Sequence, residues 1–259
     1  MDMGLEGKKA IICAGSAGLG RACAMALAGE GVDVTINGRG LERLNSAAED
    51  IRRLGKGSVT IVASDVTTDA GRDELVSACP DPDILVTNAG GPKVGSFRNF
   101  TRQDWDEGLN MAMLTHIDMI KRVIDGMTSR KWGRIINVTS SATKGAVPGF
   151  DLTNGARTGL TGFVAGLARE VIGDGVTVNN LLPGFFETDR LHEGFRELAK
   201  RQEITVDQAR SDRLSGIPAK RFGQPEELGA ACLYLASQHA GYITGQNLLL
   251  DGGRYPGTF

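Results

Sequence analysis

Short apolar runs alternate with amphipathic stretches along the whole chain. Lys9–Cys13, Val32–Asn37, Val59–Ala63, Ile84–Thr87, Arg134–Thr139, Thr177–Leu182 and Asn247–Leu250 read as strands. Between them, helical periodicity marks Leu19–Ala28, Leu41–Leu54, Ala70–Ala78, Asp104–Met127, Thr153–Ile172 and Pro225–Ser237. Such alternation is the pattern of βαβ units. The expected fold class is α/β, a single doubly wound Rossmann-type parallel sheet with helices on both faces. Short runs such as Ile84–Thr87 are expected to be buried on both faces. Pro225 suits a first helical turn, with Glu226 and Glu227 near that helix's positive end.

No linker interrupts the alternation, so one domain is expected over residues 1–259. The exception is Thr188–Leu214, a charged helical stretch inserted into the final βα connection. Its position predicts a helical lid over the carboxyl ends of the strands, where ligands bind in such sheets.

Composition narrows the function classes. With 259 residues, 41% hydrophobic and 23% charged, the chain can bury a full core and reads as neither disordered nor membrane-embedded. A net charge of -2 gives no reason to expect nucleic acid or an acidic membrane surface as a partner. The N-terminus lacks an apolar signal core, and no apolar run approaches membrane-spanning length, so a cytoplasmic protein is expected. Cys13, Cys23, Cys79 and Cys232 show no CxxC spacing and read as free buried thiols. The three histidines are too dispersed for a metal site, and none is expected.

The first strand runs into Ala14-Gly15-Ser16-Ala17-Gly18-Leu19-Gly20 and then a helix. Glycines there let the backbone approach a pyrophosphate, and the helix's unpaired N–H groups favour its charge. Gly15, Ser16, Gly18, Leu19 and Gly20 are therefore candidate cofactor residues. The second strand ends in Asn37-Gly38-Arg39. An acid there would hold the ribose hydroxyls of NAD(H), whereas an arginine suits a 2′-phosphate. Arg39 points to NADP(H), with NAD(H) as the second option.

Further along stand Asp65-Val66, Asn88-Ala89-Gly90, Gly133-Arg134-Ile135-Ile136-Asn137, Pro183-Gly184 with Thr188, and Asp251-Gly252-Gly253. With the glycine-rich turn, these marks resemble the classical short-chain dehydrogenase/reductase family over nearly the whole length. The resemblance implies that Asp65 and Val66 contact adenine and that Asn88, Ala89 and Gly90 line the cofactor. It implies that Pro183, Gly184, Phe186 and Thr188 hold the nicotinamide end. It also implies a homodimer or homotetramer, with Asp104–Met127 and Thr153–Ile172 pairing across a two-fold axis. One departure falls in the turn, where Cys13-Ala14 replaces the family's Thr-Gly.

The family's catalysis uses a tyrosine as general acid/base, a lysine four residues later, a serine thirteen residues before the tyrosine, and a helical asparagine. Counting from Ser141 puts Asn154 at the tyrosine position and Thr158 at the lysine position. Counting from Trp105 puts Ala112 where the asparagine belongs, so only the serine is kept. Ser141, Asn154 and Lys144 are the catalytic candidates, polarising a substrate oxygen while water delivers the proton. Lys93 offers a second ammonium near the fourth strand. Arg157 is expected to point away from the lysine position and to pair with an acid, and His116 to be packed. These departures resemble the divergent β-ketoacyl-carrier-protein-reductase-like subgroup.

Three functions follow in order. The first is an NADP(H)-linked oxidoreductase acting on a small-molecule carbonyl or alcohol, similar to a 3-oxoacyl reductase but with an atypical site. The second is a nucleotide-binding sensor or partner subunit without hydride transfer. The third is a lyase or isomerase using a lysine base in the same cleft.

Overall fold

The structure is a computed structural model, and residues 1–258 are described. In chain order the elements are β1 (Lys9–Ile12), α1 (Gly18–Ala28), β2 (Asp33–Gly38), α2 (Leu41–Arg53), β3 (Val59–Ala63), α3 (Asp69–Ala78) and β4 (Ile84–Thr87). Then come α4 (Arg102–Leu109), α5 (Thr115–Ser129), β5 (Gly133–Val138), α6 (Asp151–Val171) and β6 (Val176–Pro183). The chain finishes with α7 (Asp189–Gln202), α8 (Val206–Ser215), α9 (Pro225–Ala236) and β7 (Asn247–Leu250). The strands form one parallel sheet in the order β3-β2-β1-β4-β5-β6-β7. The order reverses between β1 and β4, which opens the crevice where ligands enter doubly wound sheets.

Each face of the sheet is covered. On one side Leu27, Leu228 and Leu235 pack on Ile12, Ile36 and Val86. On the other, Leu75, Met119, Val123, Leu160 and Val164 pack on Ile11, Leu85, Ile135 and Val178. Covered on both sides, β4, β5 and β6 are buried at every position. Pro225 occupies the first turn of α9 as its fixed φ favours, and Glu227 closes a capping box with Gln224.

Four polar side chains cross this interior in register. Thr87, Asn137, Asn180 and Asn247 are neighbours on β4, β5, β6 and β7. Thr87 Oγ1 donates to Asn137 Oδ1 (2.6 Å), Asn137 Nδ2 to Asn180 Oδ1 (3.0 Å), and Asn180 Nδ2 to Asn247 Oδ1 (2.8 Å). A slip of any one strand would leave buried amides unpaired, so the ladder fixes register at the end of the sheet that carries the site.

Two expected helices are divided. Asp104–Met127 is not one helix: α4 and α5 are separated by a five-residue π turn, Asn110–Leu114. A π turn keeps the chain helical without glycine or proline, so the pattern gives no sign of it. Thr188–Leu214 is likewise two helices. Glu203 takes a left-handed conformation (φ 56), and Thr205 caps α8 by accepting from the Gln208 amide. Phe195, Ala209, Ile217 and Phe222 give this pair its own small core.

Candidate active site

The candidate cofactor residues converge at the crevice. Asn37 holds the glycine-rich turn: its Oδ1 accepts from the Ala14 amide at 2.7 Å, and its main-chain carbonyl accepts from the Gly15 amide at 2.9 Å. Asn37 Nδ2 donates to the Ser64 carbonyl, so β3 is tied to the same turn. Ala14 sits at φ 48, a left-handed position that disfavours a Cβ. Gly20 has no alternative, because a Cβ there would lie 2.3 Å from the Ala14 carbonyl oxygen. Gly18 is also left-handed, and a Cβ on it would lie 3.5 Å from Thr188 Cγ2. The turn and the segment after β6 thus face each other across the crevice.

Ser16 lies so close to Gly38 that a Cβ at 38 would meet its Oγ at 2.6 Å, and exposed Arg39 follows. Burial opposes the Asp65 carboxylate, but hydrogen bonds from the Thr67 amide and hydroxyl, with the Arg39 charge, carry its pKa below the ordinary value. Asp65 thus lies within reach of the Arg39 charge, and Val66 next to it is buried. Asn88 follows β4 beside Gly20, Ala89 is buried, and Gly90 is open to solvent. The Cys13 thiol, beneath the turn, is pushed up to about 12 by burial and stays neutral.

After β6, Pro183 ends the strand and the Gly184 amide donates to the Leu250 carbonyl. A Cβ on Gly184 would meet Asp251 Cα at 2.9 Å, so this residue must be glycine. Phe186 is buried against Gly223, and Thr188 Oγ1 caps α7 by accepting from the Leu191 amide. Glu187 pairs with Arg210 and His192, which ties the entrance of α7 to α8.

The expected catalytic residues are distributed differently from the count. Ser141 opens a short 3₁₀ turn, Ser141–Thr143, capped by Ser140 Oγ accepting from the Ala142 amide; Lys144 closes it. The Asn154 side chain is bound to the neighbouring loop, Nδ2 donating to the Val147 carbonyl and Oδ1 accepting from its amide. Thr158 is exposed on the outer side of α6. The four-residue pair that faces the sheet is Thr153 and Arg157, both buried, and it lies thirteen and seventeen residues after Ser140. Counted from Ser140 instead of Ser141, the same spacings fall on Thr153 and Arg157, which belong to the buried stripe Thr153, Ala156, Arg157, Leu160 of α6.

Arg157 also departs from expectation. It forms no ion pair with an acid among the described residues; its Nη1 donates to the Val138 carbonyl at 3.0 Å. Burial, and then the Arg190 charge, lower its pKa to about 10. Lys93 pairs with Asp104 on the surface at 3.0 Å. Ala112 is buried in the π turn, and Met111 packs on Gly90. His116 is packed: its Nδ1 lies 3.1 Å from Thr87 Oγ1. Thr87 gives its own proton to Asn137, so the ring donates from Nδ1, and Nε2 is a buried acceptor with no partner among the described residues. Burial, then the Arg157 charge, push this histidine down to about 3.

Two further residues escaped sequence reasoning. Arg190 reaches back over Gly91, and the tail brings the Tyr255 ring against Gly145, where a Cβ would lie 3.3 Å from it. Neither juxtaposition leaves a local signal in the sequence.

A family model described as Enoyl-(Acyl carrier protein) reductase matches residues 13–254. The 3-oxoacyl-[acyl-carrier-protein] reductase FabG of Vibrio harveyi is 35% identical over 257 residues, covering 98% of this chain and 99% of that protein. The NADPH-dependent reductase BacG of Bacillus subtilis is 33% identical, covering 95% of this chain and 97% of that protein. L-sorbose reductase from Gluconobacter frateurii, solved with NADPH and L-sorbose, superposes with a TM-score of 0.92 at 30% identity, covering 99% of this chain and 100% of that one. Carrying this sheet, this glycine-rich turn and whole-length relatives, the chain belongs to the classical short-chain dehydrogenase/reductase family.

Proposed function

We propose that the protein is an NADP(H)-linked oxidoreductase acting on a carbonyl or alcohol substrate, with an active site that works without the family's tyrosine and lysine. The observation that carries the reading is the turn held by Asn37, with Gly20 kept free of a Cβ and Thr188 closing it from the opposite side. Arg39 at the end of β2, beside Asp65, supports NADP(H) over NAD(H). The whole-length reductase relatives support the reaction class.

The bound nicotinamide supplies or accepts a hydride. The protein must then stabilise the alkoxide formed at the carbonyl oxygen and let a proton reach it. In this reading the hydroxyls of Ser140 and Ser141 donate to that oxygen. The Arg157 guanidinium, held by the Val138 carbonyl, supplies the positive charge. Lys144 stands at the same loop, Asn154 shapes the loop through Val147, and water is the proton source. α7 and α8 act as a lid joined through Glu187, and the whole of 1–258 works as one catalytic domain.

We extend the reading to a homodimer or homotetramer. Gly162 and Gly166 on α6 face open space, and edge strand β7 exposes Leu248. Titration with NADPH and NADH, followed by a carbonyl and alcohol panel with the tighter nucleotide, tests the proposal. The expected result is tighter NADPH binding and nucleotide-dependent turnover. A second reading, nucleotide binding without hydride transfer, is favoured by Thr153 standing at the sheet-facing position of α6. Tight binding with no turnover would select it.

A further inference from the structure

Two guanidinium groups, of Arg157 by the end of β5 and of Arg190 over the segment after β4, lie near enough for one charge to act on the other, and neither pairs with a carboxylate among the described residues. Arg157, from α6, is 6% exposed and spends one N–H on the Val138 carbonyl. Arg190, in the first turn of α7, is solvent-accessible and crosses to the segment after β4. A Cβ built on Gly91 would lie 1.9 Å from Arg190 Nη2 and 2.7 Å from its Cζ. Glycine at 91 is what makes room for this guanidinium.

The surrounding chemistry leaves the charges uncompensated. Arg21, Arg72, Arg122, Arg210 and Arg221 each pair with a carboxylate, whereas among the described residues neither Arg157 nor Arg190 does. Glu193 and Glu197, exposed on α7, act on Arg190 only through space. Arg157 also acts through space on the buried His116, which burial and that arginine keep neutral. Burial lowers both arginines, and the Arg190 charge adds to the effect on Arg157. Like charges drawn together in a partly dry cleft are costly until an anion joins them.

We propose that Arg157 and Arg190 receive the carboxylate of an anionic substrate, so that the enzyme takes oxo acids or hydroxy acids in preference to their neutral counterparts. The inference rests on the oxidoreductase reading above. Planar guanidinium forks suit a carboxylate, and Arg190 on the lid couples substrate binding to lid position. The same chemistry would also attract a cofactor phosphate, and the test separates the two.

The NADP⁺-loaded protein is titrated with 2-, 3- and 4-oxo acids, each beside its methyl ester, by calorimetry, and turnover is followed with NADPH. At least one acid is expected to bind about tenfold to a hundredfold tighter than its ester. Arg190→Met is expected to remove that difference while NADPH affinity changes less than about twofold. Arg157→Lys, which keeps the charge, is expected to keep part of the preference. Arg190 is at the surface of a folded cleft, so its variant carries the test if Arg157 variants fail to fold. Equal binding of acids and esters, or no acid binding, overturns the proposal. A loss of NADPH affinity in Arg190→Met with an unchanged acid-to-ester ratio also overturns it and assigns the arginine to the cofactor. Acid preference without NADPH consumption would instead retain the anion site and refute the oxidoreductase reading.

Discussion

The side chain of Asn37 receives the Ala14 amide at 2.7 Å and gives its own amide to the Ser64 carbonyl, so one residue joins β2, β3 and the glycine-rich turn. Removing it leaves a part-buried main-chain donor and the buried Ser64 carbonyl without this partner. Asn37→Ala is expected to destabilise the fold by about 1–3 kcal/mol and to weaken NADPH binding. Denaturant unfolding and fluorescence titration check both; an unchanged nucleotide affinity would separate the turn from the cofactor site.

Ala14 holds a left-handed conformation that glycine adopts freely. Ala14→Gly is expected to gain about 1 kcal/mol, because relief of Cβ strain exceeds the entropy added to the unfolded chain. Gly20→Ala is expected to do the opposite, since its Cβ would meet the Ala14 carbonyl at 2.3 Å. It should cost about 1–3 kcal/mol as the turn is forced apart. Thermal and chemical unfolding of the two variants gives opposite signs if this geometry is right.

Arg39, whose charge reaches Asp65, is the residue proposed to meet a 2′-phosphate. Arg39→Ala is expected to weaken NADPH by about tenfold to a hundredfold and to leave NADH nearly unchanged. Parallel titrations with the two nucleotides decide it, and equal losses would place the arginine elsewhere than on the phosphate.

His116 has its pKa pushed down to about 3 from an ordinary 6.5, by burial first and the Arg157 charge second. A depressed folded pKa means that the unfolded chain takes the proton first. The histidine's contribution to stability is complete above about pH 6.5 and is lost as pH falls toward 3, at about 1.4 kcal/mol per unit. Its ring resonances are expected not to titrate between about pH 8 and pH 5. A midpoint near neutrality would contradict the packing described for it.

Much of the architecture was legible because strand and helix patterns differ in period, and the seven strands lie within a residue or so of their apolar runs. Glycines announced the turn, since Gly20 leaves room for the Ala14 carbonyl and Gly18 takes a left-handed φ of +52. Where the chain doubles a residue type, as at Ser140-Ser141, counting alone gives two registers, and only the folded α6 shows that Thr153 and Arg157 are the buried pair. The ladder Thr87-Asn137-Asn180-Asn247 and the Arg190–Gly91 contact depend on which strands and loops become neighbours. Local pattern carries no such information, and Arg190 is one charge among many in the stretch Thr188–Leu214. The one local sign of the break at Glu203 is Thr205, a cap-type residue that the reading of a single stretch passed over.

Hydride transfer is proposed for a site whose sheet-facing α6 residues are Thr153 and Arg157. Its most direct measurement is NADPH consumption, followed by absorbance, with the oxo-acid panel and mass-spectrometric quantification of the alcohol formed. NADPH loss is expected to be matched mole for mole by one hydroxy acid, and to fall sharply when Arg157 is changed to methionine in a protein that still binds NADPH. NADPH bound tightly but consumed no faster than in buffer, with every member of the panel, would contradict it.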